Sequence, residues 1–248
     1  LYKPFNWSEN RLIVMTRESA ELTKYAANSF LATKISFMNE IAKICDITGA
    51  NIHEVREGIG ADKRIGKSFL YAGLGFGGSC FPKDVRALIR TQKDLGIKSE
   101  LLPKTIAVNE NQIDYFLNKI QENFGTELKK KVLTVWGLSF KPNTDDIRES
   151  LAIKLIYKLS PLVKSLVLYD PESMELAKLK IKTLKNIEYK SDKYKALDGS
   201  NGLIIATEWK EFWDPDIQSM KVLRDKIIFD GRNILNKSKF VDEGFTYI

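Results

Sequence analysis

Cys80 ends a glycine run, Gly75-Phe76-Gly77-Gly78-Ser79-Cys80-Phe81-Pro82-Lys83-Asp84, and a carboxylate follows it four residues on. Glycine lets backbone approach a ligand closely, so a thiol at the end of such a loop is placed as a nucleophile would be. Upstream, Lys24 and Asn28 fall at i and i+4 of a helical pattern and share one face. An amine, an amide, a thiol and a carboxylate are the parts of a site that forms and resolves an acyl-enzyme intermediate. Each also has a plainer reading. Lys24 and Asn28 fit a solvated helix face, and Asp84 fits the N-terminal cap of a helix that starts after Pro82.

Gly73-Leu74-Gly75-Phe76-Gly77-Gly78 matches G-x-G-x-x-G, the phosphate-binding fingerprint of dinucleotide folds. The context argues against that reading. The fingerprint needs a β-strand before it and a helix opening within it, whereas Phe69-Leu70-Tyr71-Ala72 is a short lead and Pro82 comes after. The alternatives are a loop that lets backbone approach a ligand while exposing Cys80, or a plain surface turn.

The 248 residues suffice for two domains, and 44% hydrophobic with 29% charged residues is ordinary globular composition. No run of 18 or more apolar residues occurs, and Leu1-Tyr2-Lys3-Pro4-Phe5-Asn6-Trp7 lacks the features of a signal peptide, so the cytoplasm is the expected address. Two cysteines and one histidine, His53, are too few for a four-ligand zinc site, and no metal site is expected. Cys45, among Ile41, Ala42 and Ile44, reads as a buried, inert thiol. Lys and Arg total 39 against 32 Asp and Glu, which favours an anionic partner. Neither membrane nor nucleic acid is expected, since Lys129-Lys130-Lys131 comes without aromatic or helix-turn-helix signatures.

The elements that must position these groups follow from periodicity. From Arg17 to Thr48 apolar residues recur at helical spacing, with Thr16 or Ser19 as cap and Gly49 as stop. Such a helix spans roughly 45 Å and needs neighbours on several sides, so a bundle or a subunit interface is expected. Further helices are predicted over Ile52 to Gly58, Asp84 to Leu95 and Pro103 to Phe124. After Gly125 the apolar runs Val132 to Trp136, Leu166 to Tyr169, Leu203 to Ala206 and Ile227 to Phe229 alternate with helical stretches, the pattern of a parallel α/β sheet. The fold class is therefore α + α/β, an all-helical domain followed by a Rossmann-like parallel α/β sheet domain, with the boundary near Gly125 to Lys130. Ligands of such sheets gather beyond the carboxyl ends of the strands, here near Gly137 to Lys141, Asp170-Pro171, Thr207-Glu208 and Asp230-Gly231-Arg232.

In combination, Ala20-Glu21-Leu22-Thr23-Lys24, Asn28, Asp62-Lys63-Arg64-Ile65-Gly66, the glycine-cysteine loop, Phe140-Lys141 and Arg148-Glu149-Ser150 closely resemble the UDP-glucose/GDP-mannose dehydrogenase family. The resemblance runs through the whole chain. It implies that residues 1–125 form the family's central, dimerisation domain with the catalytic cysteine, and 126–248 its UDP-sugar-binding domain. The activity implied is oxidation of UDP-glucose to UDP-glucuronate by two NAD-dependent hydride transfers through a thioester on Cys80. GDP-mannose is the alternative substrate, and a non-catalytic dimeric UDP-sugar-binding module the alternative class. Lys24 and Asn28 would stabilise the substrate oxyanion, and Asp84 would orient Lys24 or the hydrolytic water. Tyr71, Gly75, Phe76 and Gly77 would line the sugar and phosphate pocket, Phe140, Lys141 and Arg232 would reach the nucleotide, and Arg64 would enter a partner subunit's site in a homodimer built on the helix near 17–48. Lys83 and Arg148 fall on the NAD side. The family's first, NAD-binding domain has no counterpart in these residues, so the chain is expected to be inactive alone.

Overall fold

A computed structural model describes residues 12–248. The start of the chain, on which the absence of a signal peptide was read, lies outside the described residues. Helix α1, Arg17–Thr48, begins where Thr16 Oγ1 accepts a hydrogen bond from the Ser19 amide at 3.3 Å. It stops at Gly49, whose φ of 76° turns the chain out of the helix while its N–H returns to the Cys45 carbonyl. Helices α2, Ile52–Gly60, α3, Phe81–Asp94, and α4, Leu101–Phe124, complete the first half. Both α3 and α4 pack along α1, burying Ala32, Phe76, Val85 and Leu102 in one cluster and Met38, Leu70 and Ala72 in another. Cys45 is buried, as its apolar setting predicts.

A six-residue 3-10 helix, Gly125–Lys130, leads from α4 into strand β1, Val132–Trp136. The remaining elements in chain order are α5, Leu151–Leu159; β2, Ser165–Tyr169; α6, Met174–Lys180; β3, Ile187–Tyr189; β4, Gly202–Ile205; α7, Ile217–Met220; β5, Ile227–Asp230; α8, Lys237–Asp242; and β6, Thr246–Tyr247. All strand pairs are parallel, in the order β3-β2-β1-β4-β5-β6. This is the doubly wound order whose direction reverses between β1 and β4. Strands β1, β2, β4 and β5 are buried almost throughout, because crossover helices and turns cover both faces, which is why they read as continuous apolar runs. The two-residue and three-residue edge strands β6 and β3 are too short to carry a period and escaped the sequence reading.

The glycine loop is the seam between the two halves. Among the described residues no strand precedes it, and residues 71–80 run as bends and irregular chain, so it is not a dinucleotide turn. Leu74 N–H donates to the Gly231 carbonyl after β5 at 2.9 Å. Asn109 of α4 pairs with Phe76 twice, accepting from its N–H at 2.7 Å and donating to its carbonyl at 3.0 Å. Asn39 of α1 and Gln112 of α4 hold the N–H and carbonyl of Gly73. There is no room for side chains: a Cβ on Gly77 would lie 2.3 Å from the Glu149 carbonyl oxygen, and one on Gly78, where φ is +79°, would lie 2.5 Å from the Phe140 ring.

Gly77→Ala should therefore lower stability by about 1–3 kcal/mol in urea unfolding, because a carbonyl on a neighbouring segment must move. Gly58→Ala, in open space inside α2, should instead be neutral or stabilising by up to about 1 kcal/mol.

Candidate functional site

Cys80 sits immediately ahead of α3 with its side chain exposed, and Pro82 occupies the first turn. A helix N-terminus directs unpaired N–H groups at this position. The Ser79 hydroxyl lies 3.8 Å from Sγ. Asp84 does not cap the helix, in contrast to the alternative its sequence position allowed. It lies inside the first turn, fully buried, with its side chain turned towards α1.

There Asp84 gathers the predicted polar groups. Asn28 Nδ2 donates to Oδ2 at 2.7 Å, Lys24 Nζ lies 3.1 Å from the same oxygen, and Lys83 Nζ lies 2.8 Å from Oδ1. Burial alone would raise the Asp84 pKa, but Lys83, Asn28 and Lys24 outweigh it and hold the value at about 2. The Asp84 carboxylate in turn raises the pKa of Lys83, with a smaller push from the Cys80 sulfur. Arg148 behaves alike: Asp146, its bidentate partner, raises its pKa, and the Cys80 sulfur adds to the effect. Thus Lys24 and Asn28, exposed helix face by sequence, are joined to the cysteine loop through one buried carboxylate.

A cavity of about 690 Å³ opens beside the thiol. Tyr71, Gly75, Phe76, Gly77, Cys80, Phe140, Lys141 and Arg232 all line it. The walls come from both halves: the glycine loop and α2 on one side, the segments following β1, β4 and β5 on the other. Lys24, Asn28 and Asp84 do not line the cavity, and neither do Lys83 and Arg148, which are exposed. Arg64 is elsewhere, exposed and paired to Asp62 at 2.6 Å. A larger cavity, about 1060 Å³, lies across Gly73 towards Cys45, Tyr115 and Tyr247 and contains no thiol of the loop.

Sequence reasoning missed Arg56, Trp213 and Asn233 in the smaller cavity, and reached Glu208 only as part of the Thr207-Glu208 strand end. Glu208 holds the Arg232 guanidinium at 2.5 Å. Asn233, with φ of +53°, donates to the Ala72 carbonyl at 3.1 Å. Asn in the left-handed region beside a Gly-Arg pair was the one local signal available for it.

The sheet itself offers no dinucleotide turn. Asp170, at the end of β2 where such folds keep a carboxylate for a ribose, is buried and accepts from the amides of Leu138, Ser139, Glu172 and Ser173 and from Trp209 Nε1. After β1, the space over Gly137 is filled by Thr207, 2.5 Å from where a Cβ would lie.

Residues 18–111 match the central domain of the UDP-glucose/GDP-mannose dehydrogenase family, and residues 134–237 match that family's UDP binding domain. UDP-glucose 6-dehydrogenase of Pseudomonas aeruginosa is 41% identical over 259 residues, covering all of this chain and 55% of that protein. The structure of a UDP-glucose dehydrogenase from Pyrobaculum islandicum superposes with a TM-score of 0.84 at 38% identity, over 95% of this chain and 51% of that one. GDP-mannose dehydrogenase from Pseudomonas aeruginosa gives a TM-score of 0.56 at 28% identity, over 89% of this chain and 53% of that one. The chain belongs to the UDP-glucose/GDP-mannose dehydrogenase family, and it spans about half the length of the curated relatives it matches. Among the described residues, no helix is long and apolar enough to cross a membrane.

In the native chain a bulky disulfide reagent should label one thiol rapidly, and Cys80→Ala should abolish the rapid phase, leaving Cys45 to react only on unfolding. Because the folded pKa of Asp84 is depressed, its stabilising contribution is complete above the ordinary carboxylate range near 4 and disappears as pH falls through about 2. Asp84→Asn should accordingly cost about 1–3 kcal/mol in urea unfolding at pH 7, and the difference from the unsubstituted chain should shrink steadily between pH 4 and 2.

Proposed function

We propose that this chain supplies the thiol and sugar-nucleotide parts of an NAD-dependent dehydrogenase that oxidises UDP-glucose to UDP-glucuronate in the cytoplasm. The observation that carries it is one cavity joining Cys80, at the head of α3, to Lys141 and Arg232 at the carboxyl ends of the sheet strands. Such a cavity suits a substrate with a reacting alcohol at one end and a pyrophosphate further along. Residues 1–125 act as the central, dimerisation domain and 126–248 as the UDP-sugar-binding domain. UDP-glucose is preferred to GDP-mannose because the likeness to UDP-glucose dehydrogenases is the greater, in identity and in superposition.

In this reading Lys24 and Asn28 stabilise negative charge on the substrate oxygen as the C6 alcohol loses its proton. The Cys80 thiolate adds to the resulting aldehyde carbon to give a thiohemiacetal, whose oxidation leaves a thioester. Water, oriented through the Lys24 and Asp84 pair, cleaves the thioester to the carboxylate and frees the thiol. NAD, when bound, accepts the hydride in each oxidation. Lys83 and Arg148 would contact it, and a dinucleotide-binding domain outside these 248 residues would hold the rest, so the chain alone does not turn over. Tyr71, Gly75, Phe76 and Gly77 line the sugar and phosphate pocket, and Phe140 and Lys141 face the nucleotide.

The proposed assembly is a homodimer on α1. Phe30, Phe37 and Ile44 recur every seventh residue and are 65%, 51% and 56% exposed, with Ile47 three residues beyond. Such a stripe on a helix this long fits a second copy, and Arg64 is then the residue that reaches the partner's site.

In an enzyme that joins this chain to a dinucleotide-binding domain, UDP-glucose should drive NADH formation. Cys80→Ala should abolish that turnover while leaving UDP-glucose affinity within about threefold, since the thiol contributes to chemistry more than to binding. Undiminished NADH formation by Cys80→Ala would refute the thioester route. Tight UDP-glucose binding without any turnover in the joined enzyme would favour the second reading, a non-catalytic UDP-sugar-binding module, for which the closed turn at Gly137 and Thr207 is the supporting observation.

A further inference from the structure

Among the cationic side chains of the cavity, Arg56 stands apart. It projects from α2 with its guanidinium carbon 4.3 Å from the centre of the Tyr71 ring. Its Nε is buried and has no hydrogen-bond partner. Arg232 is already engaged by Glu208, and the arginines nearest the thiol and on the 61–66 turn, Arg148 and Arg64, are engaged by Asp146 and Asp62. Glu57, next to Arg56 in sequence, commits its carboxylate to Lys67. Among the described residues no carboxylate lies within ion-pair distance of Arg56.

A guanidinium has donors only, and a buried donor left without an acceptor is unfavourable unless something binds there. Packing one face on Tyr71 fixes the plane of the group, and Arg56 lines the cavity, an arrangement pre-organised for an oxyanion. A base or a sugar hydroxyl satisfies the hydrogen bonds but not the charge. A phosphate satisfies both.

We propose that Arg56 is a substrate-binding residue of this site, taking a phosphate of the nucleoside diphosphate while Tyr71 holds its guanidinium in plane; this rests on the nucleotide-sugar reading above. Arg56 then complements Lys141 and Arg232 from the opposite, helical wall, so that the pyrophosphate is clamped between the two halves of the chain.

The test is calorimetric titration of the chain and of Arg56→Gln and Arg56→Lys with uridine, UMP and UDP, at low and moderate salt. The expected result is a tenfold or greater loss of UDP affinity in Arg56→Gln, a smaller loss in Arg56→Lys, unchanged uridine affinity in both, and a shallower salt dependence for Arg56→Gln. Unchanged UDP affinity in Arg56→Gln overturns the proposal. So does an equal loss of uridine and UDP affinity, because that marks a structural role in the cavity wall. If the unsubstituted chain binds UDP no better than uridine, the nucleotide-sugar reading fails and this proposal fails with it.

Discussion

The architecture depends on the absence of four side chains. At Gly73, Gly75, Gly77 and Gly78 a Cβ would collide with the Gly231 carbonyl, the Asn109 amide, the Glu149 carbonyl and the Phe140 ring. Two of these obstacles are backbone, which cannot swing aside as a long side chain can. The loop is therefore pressed flat between the helical half and the ends of β1 and β5, and the position of Cys80 is set by both domains at once. A thiol on an ordinary surface loop would sample many positions. Here the segment before it is hydrogen-bonded to α1, to α4 and to the sheet, and the segment after it is already helix.

Buried carboxylates do the equivalent work for electrostatics. Asp84 ties α3 to α1, Asp170 ties the end of β2 to the segments after β1 and β4, and Asp230 gathers the amides of Arg232, Ile234 and Leu235 with the Tyr247 hydroxyl. Each is surrounded by donors, which is the condition under which burying a charge is tolerable. The cost is versatility. With Asp170 committed to holding loops, this Rossmann-like sheet has the strand order of a dinucleotide fold without its ribose-binding carboxylate.

Much of this was legible in the chain. Thr16 and Gly49 bound α1 because a hydroxyl cap and a left-handed glycine are local signals, and the four central strands announced themselves as apolar runs because burial on both faces removes alternation. The rejection of G-x-G-x-x-G rested on the missing strand before it and the proline after it, both local. Arg56, Asn109 and Gln112 were not legible as cavity wall or loop anchors, since their roles depend on which turn of α2 or α4 faces a loop dozens of residues away. For Asp84 the reading as a helix cap was open until three-dimensional packing aimed its carboxylate at α1. Whether Lys24 was solvated face or site residue was undecidable from spacing for the same reason.

The Glu208 and Arg232 pair has a further consequence. The side wall of the cavity carries its own tethered anion, and a tethered group competes at high effective concentration whatever the solution contains. An incoming anion must outbid that carboxylate for the guanidinium, so a singly charged solute gains little by entering, whereas a ligand with two linked charges can displace it and still engage a second cation. In the proposed site the ion pair would thus set a threshold on charge, favouring polyvalent anions over the monovalent ones that are far more abundant in any cell.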